Sequence, residues 1–180
     1  MAIRNILSGD DPALSKESRI VTGFDERLGV LLDDMRDTMN DANGLGLAAP
    51  QVGVLRRAVL IVDVHIETEV PDEQIVELIN PEIIAKSGEQ TGTEGCLSIP
   101  GIFGIVSRPD LVRVKAQDRF GKVFEIWARG LTARAVCHEI DHLNGVVFTS
   151  LTEQLLTEEQ LEMLLAERAG QQHEGEENQV

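Results

Sequence analysis

The sequence predicts an α+β fold, with antiparallel sheets packed around a central helix carrying the motif HExxH and a further helix near the C-terminal end. Three observations predict it. Val- and Ile-rich runs come mostly first, helical periodicities flank them, and two alternating segments meet at a tight turn, which marks a hairpin rather than a βαβ crossover. At 180 residues the chain suffices for one domain with a real core. We divide it into a body over residues 1–152 and an acidic C-terminal helix with a frayed tail over residues 153–180.

Residues 25–42 place Leu28, Leu31, Leu32, Met35 and Met39 at three-to-four spacing before Gly44, which predicts an amphipathic helix with a glycine stop. Residues 58–64 and 75–79 are short branched apolar runs bounded by Arg, Pro and Asn, and read as strands. Residues 111–127 alternate on both sides of Asp118-Arg119-Phe120-Gly121, with Gly121 free to take a positive φ, and predict a β-hairpin. Gly130 breaks the second strand. Thr132 then caps a helix that runs to Asn144, where Gly145 supplies a left-handed stop. Thr152 is expected to cap the last helix, ending near Ala169, with Leu155, Leu161, Leu164 and Leu165 as a docking stripe. Beyond Gly170 no apolar pattern remains, and fraying is expected.

Composition narrows the function classes. Hydrophobic residues make up 42% and charged residues 26%, an ordinary globular balance. The net charge of −15 and the lack of a basic stripe exclude nucleic-acid binding through charge. Residues 153–180 hold eight Glu and one Arg, so much of the acidity belongs to the tail. No apolar leader and no run of membrane-spanning length is present, so the chain reads as soluble and cytoplasmic, with no membrane partner. Two cysteines, Cys96 and Cys137, suit thiol or metal chemistry better than a lone disulfide.

The chemistry centres on His138-Glu139-Ile140-Asp141-His142. Residues four apart share one helical face, so His138 and His142 can meet one cation while Glu139, one step round, reaches a water on it. A catalytic site needs a third ligand and an open position. The metzincin pattern would put a third His at position 148, where Phe148 stands. A thermolysin-like site would use a downstream Glu such as Glu162, but only 38 residues follow His142. Cys96, in Glu94-Gly95-Cys96-Leu97-Ser98, is the remaining candidate, since a thiolate binds borderline metals well. Cys137 lies about 100° round the helix from His138 and reads as core.

Residues 44–53, GLGLAAPQVG, match GxGxxA, but the segment follows a helix instead of a strand, and Pro50 and Gly53 stop any helix from starting there. We exclude dinucleotide binding. The glycines suit a loop whose backbone approaches a ligand, with Gln51 offering amide donors.

GLGLAAPQ, EGCLS and HEIDH, in this order, resemble the three signature segments of the peptide deformylases, in their short bacterial form. The likeness covers about residues 3–150 and includes DRFGKVFEI and GLTARAVCHEIDHLNGVVF. The resemblance implies a metal-dependent hydrolase that removes the N-formyl group from the starting formyl-methionine of nascent polypeptides and releases formate. It implies that Cys96, His138 and His142 hold one divalent metal, foremost Fe²⁺, with Zn²⁺, Ni²⁺ or Co²⁺ able to substitute. Glu139 would act as general base toward a metal-bound water and then as acid toward the leaving amine. Gln51 and the Leu97 backbone N–H would stabilise the oxyanion. Gly46 would bind the substrate backbone, and Leu45, Leu131, Ala135 and His138 would line the methionine slot.

Two positions depart from the resemblance. Phe103 stands where some members carry an Arg, so recognition beyond the first residue should be more apolar here. Arg134 replaces an aliphatic residue beside the pocket, its stem expected to pack while its charge reaches water. Asp141, unused by the metal chemistry, is expected to pair with Arg108 and hold the helix against the EGCLS loop. A monomer is expected, with nascent chains as partner and any contact with the ribosome made without a basic tail. The competing readings are a metallo-endopeptidase on the same helix and a non-catalytic relative, the latter opposed by the full set Gln51, Cys96, His138, Glu139 and His142.

Overall fold

A computed structural model describes residues 2–65 and 74–177, with side chains as far as residue 167. A five-stranded antiparallel sheet has the order β1 (Gly46–Ala48), β2 (Ala58–Val62), β3 (Ile75–Ser87), β6 (Leu111–Gln117), β7 (Val123–Arg129). A smaller antiparallel sheet joins β4 (Gln90–Cys96), β5 (Ile99–Arg108) and β8 (Leu155–Thr157). The helices are α1 (Glu26–Asp41), α2 (Gly130–Leu143) and α3 (Glu158–Glu177).

The apolar run AVLIV of β2 is buried on both faces, as a strand between two helices must be. Ala58 and Leu60 join Leu28, Leu31, Leu32, Met35 and Met39 of α1 on one side of the sheet. Val59 and Ile61 join Val136, Cys137, Ile140 and Leu143 of α2 on the other. Leu32, Met35, Met39, Leu60 and Leu143 are wholly excluded from solvent, each worth roughly 1.5–3 kcal/mol of burial. The α+β architecture is as expected, with α2 between the main sheet and the β4–β5 hairpin. Among the described residues no helix is long and apolar enough to cross a membrane.

Several local expectations are corrected. The strand expected over 75–79 continues to Ser87, because Asn80 takes φ 51° and the register shifts between Ile79 and Glu82, so Asn80-Pro81 makes a bulge instead of an end. Residues 46–52, expected as a loop, form β1 followed by one 3₁₀ turn (Ala49–Val52) closed by Gly53 at φ 78°. Pro50 fits the first turn of that short helix, where no N–H is needed. Thr132 lies inside α2, whose cap residue is Arg129, and Thr132 Oγ1 donates to Asp63 Oδ1 at 3.3 Å. Thr152 does not cap α3. Thr157 and Gln160 do so reciprocally, Gln160 N to Thr157 Oγ1 at 3.3 Å and Thr157 N to Gln160 Oε1 at 2.9 Å. The α3 backbone reaches Glu177 instead of ending near 169, since Glu and Gln are good helix formers. Leu161 and Leu164 are half-buried, whereas Leu155 and Leu165 are exposed, so the docking stripe is narrower than expected.

Candidate active site and metal centre

Two elements carry the site. The β4–β5 hairpin bears Cys96 at its tip, where a register shift after Gly95 bulges the strand and leaves Leu97 and Ser98 in the turn. Helix α2 bears His138 and His142 one turn apart, their rings 4.9 Å apart and nearly perpendicular. Cys96 Sγ and one nitrogen from each histidine lie within 4.8 Å of one another. Cys96 Sγ and His142 Nε2 are 3.3 Å apart, close to the roughly 3.4–3.6 Å that separates S and N donors around a tetrahedral ion. His138 Nδ1 faces Glu94 Oε2 at 3.1 Å, which leaves Nε2 to face the thiol. The donor set therefore fits a borderline divalent metal.

Glu94 is the residue that motif reading passed over. It is buried, and its carboxylate accepts from Arg108 Nε at 2.8 Å and Nη2 at 2.9 Å, from Arg134 Nη1 at 2.9 Å, and from His138. Burial opposes its charge, yet Arg108 and His138 prevail and hold the carboxyl down at about 2. The signal for it was available, because a metal-binding histidine needs an acceptor for its second nitrogen and Glu94 lies two residues before the thiol. Arg134 departs from expectation. Its guanidinium does not reach water; it is buried against Glu94 and backbone carbonyls, and the residue lies along the cavity. Asp141 pairs with Arg108 as expected, at 2.6 Å.

Glu139 sits beside the histidines and is 4% exposed. Burial pushes its carboxyl up to about 7, with the charge of His138 working in the opposite direction. Its Oε2 is buried without a protein partner among the described residues, in a residue that lines the cavity. Gly46 explains how the carboxylate fits: a Cβ there would lie 2.5 Å from Glu139 Oε1. Gln51 is anchored through Oε1, which accepts from Ala48 N at 2.8 Å, and its Nε2 donates to Ser98 Oγ at 3.3 Å beside the Cys96 thiol. Burial and the charge of His138 push His142 down to about 3, so it stays neutral, the form able to donate to a metal.

These groups open into a cavity of about 620 Å³, lined by every residue singled out for the site except His142, which lies deeper. Leu45 and Leu131 are 43% and 48% exposed, so they are cavity walls and not core. Ala135 lies on the same wall of α2, and Leu97, Ile102 and Phe103 face it from the hairpin. β1 is an edge strand, and Val62 N donates to Leu45 O at 2.9 Å. With Gly46 opposite Ile61, antiparallel alternation turns the Gly46 N–H and C=O away from β2, toward the cavity that Gly46 lines.

The comparisons with known proteins agree with this geometry. The family model described as polypeptide deformylase matches residues 3–157. A peptide deformylase of Caldicellulosiruptor bescii is 53% identical over 162 residues, covering 90% of this chain and 93% of that one. Peptide deformylase 1 of Bacillus subtilis is 48% identical, covering 89% and 97%. The crystal structure of a peptide deformylase from Legionella pneumophila superposes with a TM-score of 0.77 at 42% identity, covering 99% of each chain. With its thiol, its two helix histidines and its buried acid gathered at one site, and with relatives matching along nearly its whole length, this chain belongs to the peptide deformylase family.

Proposed function

We propose that Glu139, Gln51 and the Leu97 backbone carry out in this chain the reaction of its family, hydrolytic removal of the formyl group from the N-terminal formyl-methionine of nascent polypeptides. The observation that carries this reading is that a buried carboxylate oxygen without a partner among the described residues, a Cys/His/His cluster spaced to hold a metal, and an apolar slot lie together at one site. Cys96, His138 and His142 would hold a divalent metal, which we take to be Fe²⁺, and its chemistry there would be that of a Lewis acid toward water and the formyl carbonyl.

The protein's own groups do the rest. Glu139, raised toward neutrality, takes the proton of the attacking water and returns it to the leaving amine. The Gln51 amide, held by Ala48, and the Leu97 N–H donate to the oxygen on which charge develops. The methionine side chain enters between Leu45, Leu131 and Ala135, and the substrate backbone pairs with the free edge of β1 at Gly46. Phe103 and Ile102 make the ground beyond the first residue apolar. The site is assembled from one chain, and we propose a monomer acting in the cytoplasm on chains leaving the ribosome.

The test is formate release from a formyl-Met tripeptide by anaerobically purified protein, with Glu139→Ala beside it. Release that vanishes in the variant supports the reading. Metal-loaded protein that releases no formate overturns it.

A further inference from the structure

Arg134 costs the fold a second buried guanidinium beside one carboxylate, although Arg108 alone already grips both Glu94 oxygens. Such burial is expensive unless every donor is used. Arg134 uses its donors on the backbone: Nη1 donates to Val106 O at 2.9 Å and Gly92 O at 3.4 Å, and Nη2 to Gln90 O at 3.2 Å. The same Nη1 donates to Glu94 Oε1 at 2.9 Å. Arg134 lies four residues before His138, hence on the same face of α2. It therefore ties the helix that carries both histidines to both strands of the hairpin that carries Cys96.

We propose that Arg134 is a positioning residue, which sets the spacing between the Cys96 arm and the histidine arm and, through Glu94, orients the His138 ring. The proposal rests on the reading of this triad as a metal centre. Arg108 reaches α2 through side chains, Asp141 directly and His138 by way of Glu94, whereas Arg134 bonds the backbone of both hairpin strands. Arg134 lines the cavity, so an unbranched methionine at this position keeps much of the wall while removing the tie.

The experiment uses the full chain loaded with Co²⁺ as probe and compares wild type, Arg134→Met and Arg134→Lys. Visible absorption, the rate of Co²⁺ release to a chelator, and KM and kcat on a formyl-Met peptide are read together. Arg134→Met is expected to shift the absorption bands, release Co²⁺ about tenfold or more faster, and lose kcat with little change in KM, the range typical of a lost partner to a metal ligand. Arg134→Lys, which reaches fewer acceptors, should recover part of each. Bands and release rate equal to wild type overturn the proposal, including where only the melting temperature falls. Should Arg134→Met fail to fold, Arg134→Lys carries the test, and wild-type values throughout overturn it. Wild-type protein that takes up no Co²⁺ overturns the metal-centre reading itself, and the proposal with it.

Discussion

Arg108 Nη1 donates to Asp141 Oδ2 across 2.6 Å, so the acid of HEIDH that lies outside the Cys96–His138–His142 cluster holds α2 to strand β5. Arg108 is 8% exposed on its side chain and Asp141 25%. Asp141→Asn keeps the shape and removes the charge, while Glu94 still holds Arg108. We expect a loss of about 1 kcal/mol and a melting temperature lower by roughly 2–4 °C, with a small fall in activity. Thermal melting and formate release check this. If neither moves, the pair does not hold the helix.

Gly46 and Gly29 make a matched pair of substitutions. A Cβ on Gly46 would meet the Glu139 carboxylate at 2.5 Å, whereas one on Gly29, in α1, would meet nothing within 4 Å. Gly46→Ala should displace Glu139 and lower kcat at least tenfold while the protein still folds, because a small shift of a reacting group is costly. Gly29→Ala should stabilise by about 0.5–1 kcal/mol and leave kcat unchanged. Denaturant melts and steady-state kinetics separate the two.

The thiols should differ in reactivity. Cys96 is half-buried at the cavity, while Cys137 is 5% exposed and burial pushes its thiol up to about 11. Thiolate is the reactive form. Metal-free protein should take one alkyl group, at Cys96, and Zn²⁺-loaded protein none, as read by mass spectrometry. Cys137→Ala should leave metal binding intact, and Cys96→Ala should abolish it.

How much of this was legible depended on whether the signal was local. The α1 stripe, the β2 run and the Gly121 hairpin follow from spacing alone, and all three lie where spacing put them. The candidate site was legible because most of its residues fall in three short segments. β4 and β5 were not, because glycines at 92, 95 and 104 erase the apolar alternation; they are glycine because other side chains crowd them, as Phe148 does at Gly104, where a Cβ would lie 3.0 Å from its ring. The fate of the Arg134 charge was hidden for a similar reason. Besides Glu94, its acceptors are carbonyls of distant strands, which no side-chain pattern displays.

The acidic C-terminal helix gives a further expectation. The last ten residues of the chain, 171–180, hold three Glu and no Lys or Arg, a composition that repels phosphate. Truncation after Gly170 should leave co-sedimentation with ribosomes unaltered. A clear loss would show that the tail makes the contact.

Glu139 should make the stability of the metal-free protein depend on pH in an unusual direction. Its folded carboxyl is raised from 4.5 to about 7 by burial. A raised value means that the folded state holds the proton more tightly than the unfolded chain does. The stability this provides is fully present below about 4.5 and is lost as pH rises through about 7. The full shift corresponds to a cost on the order of 3 kcal/mol once the buried group is ionised. Glu139→Gln has nothing to ionise. It should therefore melt several degrees above wild type at pH 8 and close to it at pH 5, with both proteins stripped of metal by chelation. A difference in melting temperature that does not change between the two pH values would mean that the carboxylate is solvated in the folded protein, and the case for Glu139 as a base tuned by burial would fall.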